Sequence, residues 1–387
     1  MTSTISTEQE LYWLALKMTP GLGTRRAYQL IDNFRSPEAI FQASREELEE
    51  AGLPGSVAQS LASGCTFDDA ADQQNRMRAA GAQLITWNCA AYPPALREIF
   101  DPPVALFVRG SVDLLSRTLF GVVGTRRPTP YGMAAAERLS ADLASAGLVI
   151  ASGMARGIDT ASHRGALSVS GGTVAVLGCG VDVVYPSENR KLAEQIATQG
   201  AIVSEFPMGA AAFPQNFPIR NRIVSGIGIG LLVVEGAQYS GSSITARLAL
   251  EQGRDVFAVP GNITSKMSWG PNLLIKEGAK LVQDWNDVVV DLPPAVRRKL
   301  IDEGRQRLLD LAEAQSTGPA PAATAPEGEI SRKVLSLLEV DAPIHLDDLI
   351  DRIERVSVSE VLAALFELEM LGLAKQLPGR NYVKVWQ

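Results

Sequence analysis

Six short runs between residues 119 and 261 constrain this chain more than any other feature: "LFGVVG", "GLVIASG", "GTVAVLGCG", "AIVSEFP", "IGLLVVEG" and "DVFAVPG". Each is apolar at consecutive positions, rich in β-branched residues, and most close on glycine. Helical stretches such as "YGMAAAERLSADLASAG", "NRKLAEQIATQG" and "SSITARLALEQG" lie between several of them. Strands that are apolar throughout are covered on both faces, and right-handed helical crossovers between them make a doubly wound parallel sheet. The spacing predicts such an α/β core over residues 72–291.

The flanks read differently. Residues 1–71 predict short helices, among them "SREELEEAG", where Ser44 and Glu47 make a capping-box pattern and Gly52 a C-terminal stop. Residues 292–328 predict a helix followed by the Pro/Ala-rich linker "QSTGPAPAATAPEGE", whose composition cannot bury enough to fold. Residues 329–387 predict three helices and the hairpin "LAKQLPGRNYVKV", a winged-helix layout.

Of the 387 residues, 46% are apolar and 20% charged, with a net charge of -7, which fits a soluble protein. The N-terminus "MTSTISTEQELYWLAL" has no signal-peptide pattern and no window is apolar enough to span a bilayer, so a cytoplasmic location without membrane contact is expected. Cys65, Cys89 and Cys179 are far apart and form no CxxC pair, so neither a metal site nor a disulfide framework is indicated.

In open α/β sheets ligands bind beyond the carboxyl ends of the strands. The loops there carry Gly124, Thr125, Arg126 and Arg127; Ser152, Gly153, Met154, Arg156 and Gly157; Arg190 and Lys191; Arg220, Asn221 and Arg222; and Ser240, Gly241 and Ser242. Glycines let backbone N–H groups approach a phosphate, helix N-termini favour anions, and arginine grips phosphate bidentately. All of these except Arg220 are taken as anion-binding candidates. Asp159 and Asp182 are read as braces that accept backbone N–H bonds. Tyr131, Tyr185, Phe206 and Phe217 are candidates for base stacking.

Residues 72–291 hold 19 Lys/Arg against 18 Asp/Glu, while the rest of the chain holds 17 against 25. The core is thus the least acidic part, which favours an extended polyanion as ligand. Catalytic patterns are thin. His163 and His345 are the two histidines, Glu205 is a further acid near a strand end, and no Walker, GxSxG, HExxH or Gly-x-Gly-x-x-Gly motif occurs. No cofactor or metal is called for.

Together "GVVGTRRPTPYG", "ASGMARGIDTASHRGAL", "AVLGCGVDVVYPSEN", "SEFPMG", "FPIRNRIVSG", "VVEGAQYSGSSITARLALEQGRDVFAVPG" and "GPNLLIKEGAKLV" closely resemble the DNA-processing protein A family (DprA, also called Smf). They cover nearly all of residues 105–283 in family order. The resemblance implies an extended Rossmann-like domain that binds single-stranded DNA without cutting it. It also implies a homodimer and a role in natural transformation, in which incoming strands are protected and the recombinase RecA is loaded onto them. It makes Arg126 a DNA contact, and Arg190 or Lys191 a second. "MTPGLGTRRAYQLI" is similar to a helix-hairpin-helix of a sterile-alpha-motif-like domain, with Arg25 and Arg26 placed to meet a backbone. For the dimer, Leu273, Leu274, Ile275 and Leu281 offer apolar surface. The winged helix holds 7 Lys/Arg and 10 Asp/Glu, and its third helix, residues 359–371, carries Glu360, Glu367 and Glu369 and no cation. That suits contact with protein better than reading of a duplex.

The rival reading is a nucleotide-cleaving enzyme of the "lonely guy" type, which carries "PGGxGTxxE". The comparable "EGAQYSGSSITAR" lacks that glutamate spacing. A dinucleotide-dependent oxidoreductase would need the glycine fingerprint absent after the first core strand.

Overall fold

The computed structural model describes residues 6–238 and 240–300, and from the C-terminal part 329–339, 344–353, 356, 360–362, 364, 365, 368, 373–377 and 381–384. The chain divides into two compact units, Met1–Arg305 and Gln306–Gln387.

The first unit is built on a nine-stranded sheet of order β1-β2-β6-β5-β4-β3-β7-β8-β9. Its strands are β1 (Ala82–Thr86), β2 (Ala105–Gly110), β3 (Leu119–Val123), β4 (Val149–Ser152), β5 (Thr173–Leu177), β6 (Ala201–Ser204), β7 (Gly230–Val233), β8 (Asp255–Ala258) and β9 (Lys280–Leu281). The six apolar runs of the sequence are β3 to β8, and every neighbouring pair from β6 across to β9 is parallel. The edge formed by β1 and β2 departs from the all-parallel expectation. β1 pairs antiparallel with β2, and β2 antiparallel with β6 in the register Phe107↔Ser204. Residues just before β2 therefore lie at the carboxyl rim of the parallel strands.

Consecutive residues of the central strands serve opposite faces, as the pleat requires. Phe120, Val122, Ile150 and Leu232 pack beneath α7 (Pro130–Ser145) and α8 (Ile158–Ser168). Val123, Val149, Leu231 and Val233 pack beneath α10 (Asn216–Gly226) and α11 (Gly241–Glu251). Each such side chain contributes about 1.5–3 kcal/mol on burial. Thr129 caps α7 by accepting from Gly132 N, and Pro130 opens its first turn. α8 lies so close to α7 that a Cβ at Gly165 would collide with the Glu137 carbonyl.

From β3 the chain steps outward through β4 and β5 to β6, by way of α9 (Arg190–Gln199), then returns along α10 to β7 on the other side of β3. β3 and β7 thus flank a topological switch point, where such sheets open a ligand crevice.

Among the described residues six helices precede the sheet: α1 (Thr7–Met18), α2 (Thr24–Phe34), α3 (Pro37–Gln42), α4 (Arg45–Glu50), α5 (Gly55–Ser63) and α6 (Phe67–Ala79). The Ser44–Glu47 capping box opens α4, and Gly52 follows it at φ +89°. α6 runs unbroken through residues 71–72. The helices share one apolar core with the sheet edge, in which Leu16, Leu30 and Met77 join Phe107, Leu177 and Ile202. Residues 294–300 are helical. The remainder of the helix and linker expected over 292–328 lies outside the described residues.

In the second unit, helices Glu329–Leu337 and Leu346–Asp351 pack with a three-stranded sheet of order β10-β12-β11 (Ile344–His345, Asn381–Lys384, Ala374–Leu377). β11 and β12 form the expected antiparallel wing. Val334, Leu349, Val361, Leu365 and Leu368 fill its core. Glu367 and Glu369, which carry much of the argument for a cation-free third helix, lie outside the described residues.

Candidate functional site

The loop after β3 is fastened at both ends, which leaves its arginines at the tip. Thr125 N donates to the Glu235 carbonyl at 2.7 Å. At the far end the buried Glu235 carboxylate accepts from Thr129 N at 2.9 Å and from Thr129 Oγ1 at 2.6 Å. Gly157, at φ +79°, lets the neighbouring loop press against this turn, and Ile158 N donates to the Thr125 carbonyl. Arg126 and Arg127 stand exposed between these anchors.

The loop after β4 is folded around Asp159. This buried carboxylate accepts from Gly153 N at 3.1 Å and from Ala155 N at 3.2 Å. Burial pushes its pKa up, and the Arg220 guanidinium and the two amides hold it down. Arg220 itself is 5% exposed and lies flat against Gly153, whose missing Cβ leaves the room it occupies. Its Nε has no hydrogen-bond partner, and among the described residues its guanidinium enters no ion pair within 4 Å. Burial lowers its pKa, with Asp159 opposing. An arginine stays charged regardless. A buried charge without a hydrogen-bonded partner costs several kcal/mol, and an anion in the space it faces removes that cost.

That space is a cleft of about 510 Å³ at the β3–β7 switch point. Its lining includes Arg126, Arg127, Arg220 and Asn221 together with Ser240, Gly241, Ser242 and Thr245. The serine-rich part of this lining is the N-terminus of α11, the positive end of the helix dipole, where Ser243 N donates to the Ser240 carbonyl at 3.0 Å. Ser240, its N-cap, makes no side-chain cap bond. A side pocket of about 60 Å³ adjoins the cleft through Arg126, Phe217 and Arg220 and is lined by Gly153, Arg156, Gly178 and Tyr185. The Phe217 ring stands 5.5 Å from Tyr185, with Arg126 at 5.4 Å and Arg220 at 5.9 Å. Three arginines, a helix N-terminus and two partly open aromatic rings therefore converge.

Ten of the sixteen anion-binding candidates line these two pockets: Gly124, Thr125, Arg126, Arg127, Gly153, Arg156, Asn221, Ser240, Gly241 and Ser242. Others do not. Ser152 is buried and donates to the Val122 carbonyl, and Met154 is buried in the core. Gly157 is covered by the Thr125 turn. Arg190 and Lys191 are exposed in the first turn of α9 and line neither pocket. Arg222 is turned away into a buried network. It pairs with Glu205 and with Asp101, while Glu205 also accepts from Thr24 Oγ1 and faces Lys17. The arginine of α10 that faces the cleft is Arg220. Helical spacing carried that signal, because positions 217, 220 and 221 share a face that 222 does not.

Arg156 is paired with Glu188 at the exposed rim. Asp182 accepts from Gly209 N at 2.9 Å, a bond that joins two neighbouring loops. Among the stacking candidates, Tyr185 and Phe217 lie at the site, whereas Tyr131 donates to the Pro260 carbonyl and lines a separate cleft. Thr173 Oγ1 donates to the Ile150 carbonyl, so His163 Nδ1 carries the proton it shares with Thr173. Burial drives the His163 pKa down to about 3 and the Cys179 thiol up to about 11, so neither is poised for chemistry. Among the described residues no His/Cys/Asp/Glu cluster could hold a metal, and no helix is long and apolar enough to cross a membrane.

Residues 83–293 match the model of the family "DNA recombination-mediator protein A", and residues 318–380 match the DprA winged helix domain. The chain is 31% identical to protein Smf of Synechocystis sp., over 98% of this chain and 99% of that one. The X-ray structure of DNA processing protein A from Streptococcus pneumoniae superposes with a TM-score of 0.63 at 33% identity, covering 75% of this chain and 99% of that one. A structure of DNA processing protein A from Helicobacter pylori, described for its single-stranded DNA binding mode, superposes with a TM-score of 0.50 at 29% identity, covering 57% and 96%.

Proposed function

The chain belongs to the DNA recombination-mediator protein A family (DprA, or Smf), and we propose that its switch-point cleft holds single-stranded DNA as a carrier and not as an enzyme. Arg220 carries this reading: a buried guanidinium without a hydrogen-bonded partner, facing a cleft that Arg126, Arg127 and the α11 N-terminus also face. Such a set neutralises phosphates in succession. Phe217 and Tyr185 beside it offer π-faces to unstacked bases, which a duplex keeps stacked. The relative from Helicobacter pylori, described by its single-stranded DNA binding, supports the same ligand.

Asp159, which lines the cleft, and Glu235, which anchors its β3 loop, are both engaged, which supports a non-enzymatic role. Asp159 accepts two backbone N–H bonds and Glu235 holds Thr129, so neither is free to take a proton from water or substrate. The family role extends the reading to cytoplasmic protection of incoming strands during transformation and to RecA loading. Self-association fits α12 (Trp269–Lys276) and the edge strand β9, where Leu281 is 45% exposed and Leu273 and Ile275 are half-buried. Sedimentation of the full chain at tens of micromolar tests the dimer, and a monomer throughout would count against it.

The ligand is tested by competition. An unlabelled single strand should displace a labelled one far better than the same sequence as duplex, and the strand should be recovered intact. Equal competition, or release of bases from nucleoside monophosphates, would restore the nucleotide-cleaving alternative.

A further inference from the structure

Phe100 lies on the same rim as the cleft. The antiparallel pairing of β2 with β6 carries residues 100–104 to the carboxyl end of the parallel strands. Its phenyl ring is 74% exposed, although full burial of a phenylalanine would contribute about 1.5–3 kcal/mol. The exposure is imposed by the neighbours. Ile99 is buried against Gly226 of α10, and the Asp101 carbonyl and carboxylate are both held by Arg222. The backbone on each side of Phe100 is therefore pinned to α10, and the ring is presented outward on a fixed mount.

One face of that ring is taken by Arg25, whose guanidinium carbon stands 4.5 Å from the centroid. Arg25 and Arg26 are both exposed in the first turn of α2, and among the described residues neither enters an ion pair. Two cations in the first turn oppose the helix dipole. Gly23, the N-cap, gives that turn no side-chain acceptor and meets nothing within 4 Å where a Cβ would stand. Beneath the platform, Lys17 and Arg222 are balanced by Glu205 and Asp101. The uncompensated local charge is thus that of Arg25 and Arg26.

The platform and the cleft lie on different sides of α10. Arg222 holds the Phe100 loop while Arg220, two residues earlier, faces the cleft, so α10 stands between the two. The geometry points to a second contact for the same single strand: a base stacks on the open face of Phe100 while Arg25 and Arg26 take the flanking phosphates. This rests on the reading of the cleft as a single-strand site and extends its track along the rim onto the N-terminal helices. A polyanion with exposed bases fits the combination of aromatic face and unpaired arginines, and continuity with the cleft supplies the strand.

The test uses the full chain with labelled oligo(dT) of two lengths, about 4 nucleotides to fill the cleft and about 20 to reach past it. Phe100→Ala removes an exposed ring and leaves the fold intact. It should weaken the long oligomer roughly tenfold and leave the short one unchanged, and Arg25→Ala should do the same. A long oligomer lacking bases outside the central few nucleotides should bind the wild type and Phe100→Ala alike. Arg126→Ala should weaken both lengths and so reports on the cleft separately. Unchanged affinity of Phe100→Ala for the long oligomer, or equal losses on both lengths, would overturn the platform while leaving the cleft standing. Wild-type protein that binds neither length would overturn both.

Discussion

Replacing Gly153 by alanine should weaken DNA binding without touching the DNA. An ideal Cβ there would stand 2.5 Å from Arg220 Cζ and 2.7 Å from Nη2. Carbon contacts settle near about 3.5–4.0 Å, so the guanidinium must give up the place it holds over Gly153, by an ångström or more. A hydrogen bond to a charged group contributes about 1.5–3 kcal/mol, and losing it predicts roughly 10- to 100-fold weaker binding of oligo(dT). The sequence alone suggests that this glycine admits a phosphate, whereas the structure gives its space to Arg220. A double-mutant cycle separates the two accounts. If the glycine serves Arg220, Gly153→Ala in an Arg220→Ala background should cost little more, because the group it displaces is gone. Fluorescence anisotropy at fixed salt gives all four affinities, with folding checked by circular dichroism. Fully additive losses, or wild-type affinity for Gly153→Ala, would refute the reasoning.

Glu235→Gln keeps the shape but weakens the clamp on Thr129. It should lower stability by about 1–2 kcal/mol, read from urea midpoints, and speed amide exchange over residues 125–129; unchanged exchange there would contradict the clamp. Glu188→Gln frees Arg156 at the rim, so affinity should rise at most a few-fold at low salt and converge with wild type as salt screens the pair. A loss of affinity would show that the pair instead holds Arg156 in place. His163 has its pKa lowered from 6.5 to about 3 by burial, so the unfolded chain takes up that proton first as pH falls. Its contribution is complete above about pH 6.5 and is lost progressively toward pH 3, by about 2 kcal/mol at pH 5. Urea unfolding at pH 7 and pH 5 should show that difference shrinking in His163→Asn, and an identical pH dependence would contradict it.

The strands were legible because β3 to β8 are apolar on both faces, a pattern only a covered sheet explains. β1 and β2 were not singled out: they close one end of the sheet, where "AQLIT" is interrupted by the exposed Gln83 and no glycine-rich ligand loop follows. Arg126 was legible because it follows a strand directly, so its position at the rim needs no knowledge of packing. On α10 the sequence offered Arg220 and Arg222 two residues apart. Helical spacing groups Arg220 with Phe217 and Asn221, and the packing of that helix against Gly153 on one side and Glu205 on another turns that face to the cleft. Asp159 was readable as a brace within its own loop. Glu235 closes onto Thr129 across 106 residues, a contact no local pattern encodes. Phe100 was unreadable for the same reason, since its exposure follows from how Ile99 and Asp101 engage α10.

The central claim is that Arg220 is a buried cation held for the phosphates of a single strand, and the salt dependence of binding tests it most directly. For single strands log affinity should fall against log salt with a slope of about -0.7 per phosphate neutralised. Arg220→Ala should make that slope shallower by about 0.7 and weaken oligomers of every sequence alike, because phosphate contacts position without reading bases. A slope identical to wild type, or wild-type binding indifferent to salt, would contradict the account.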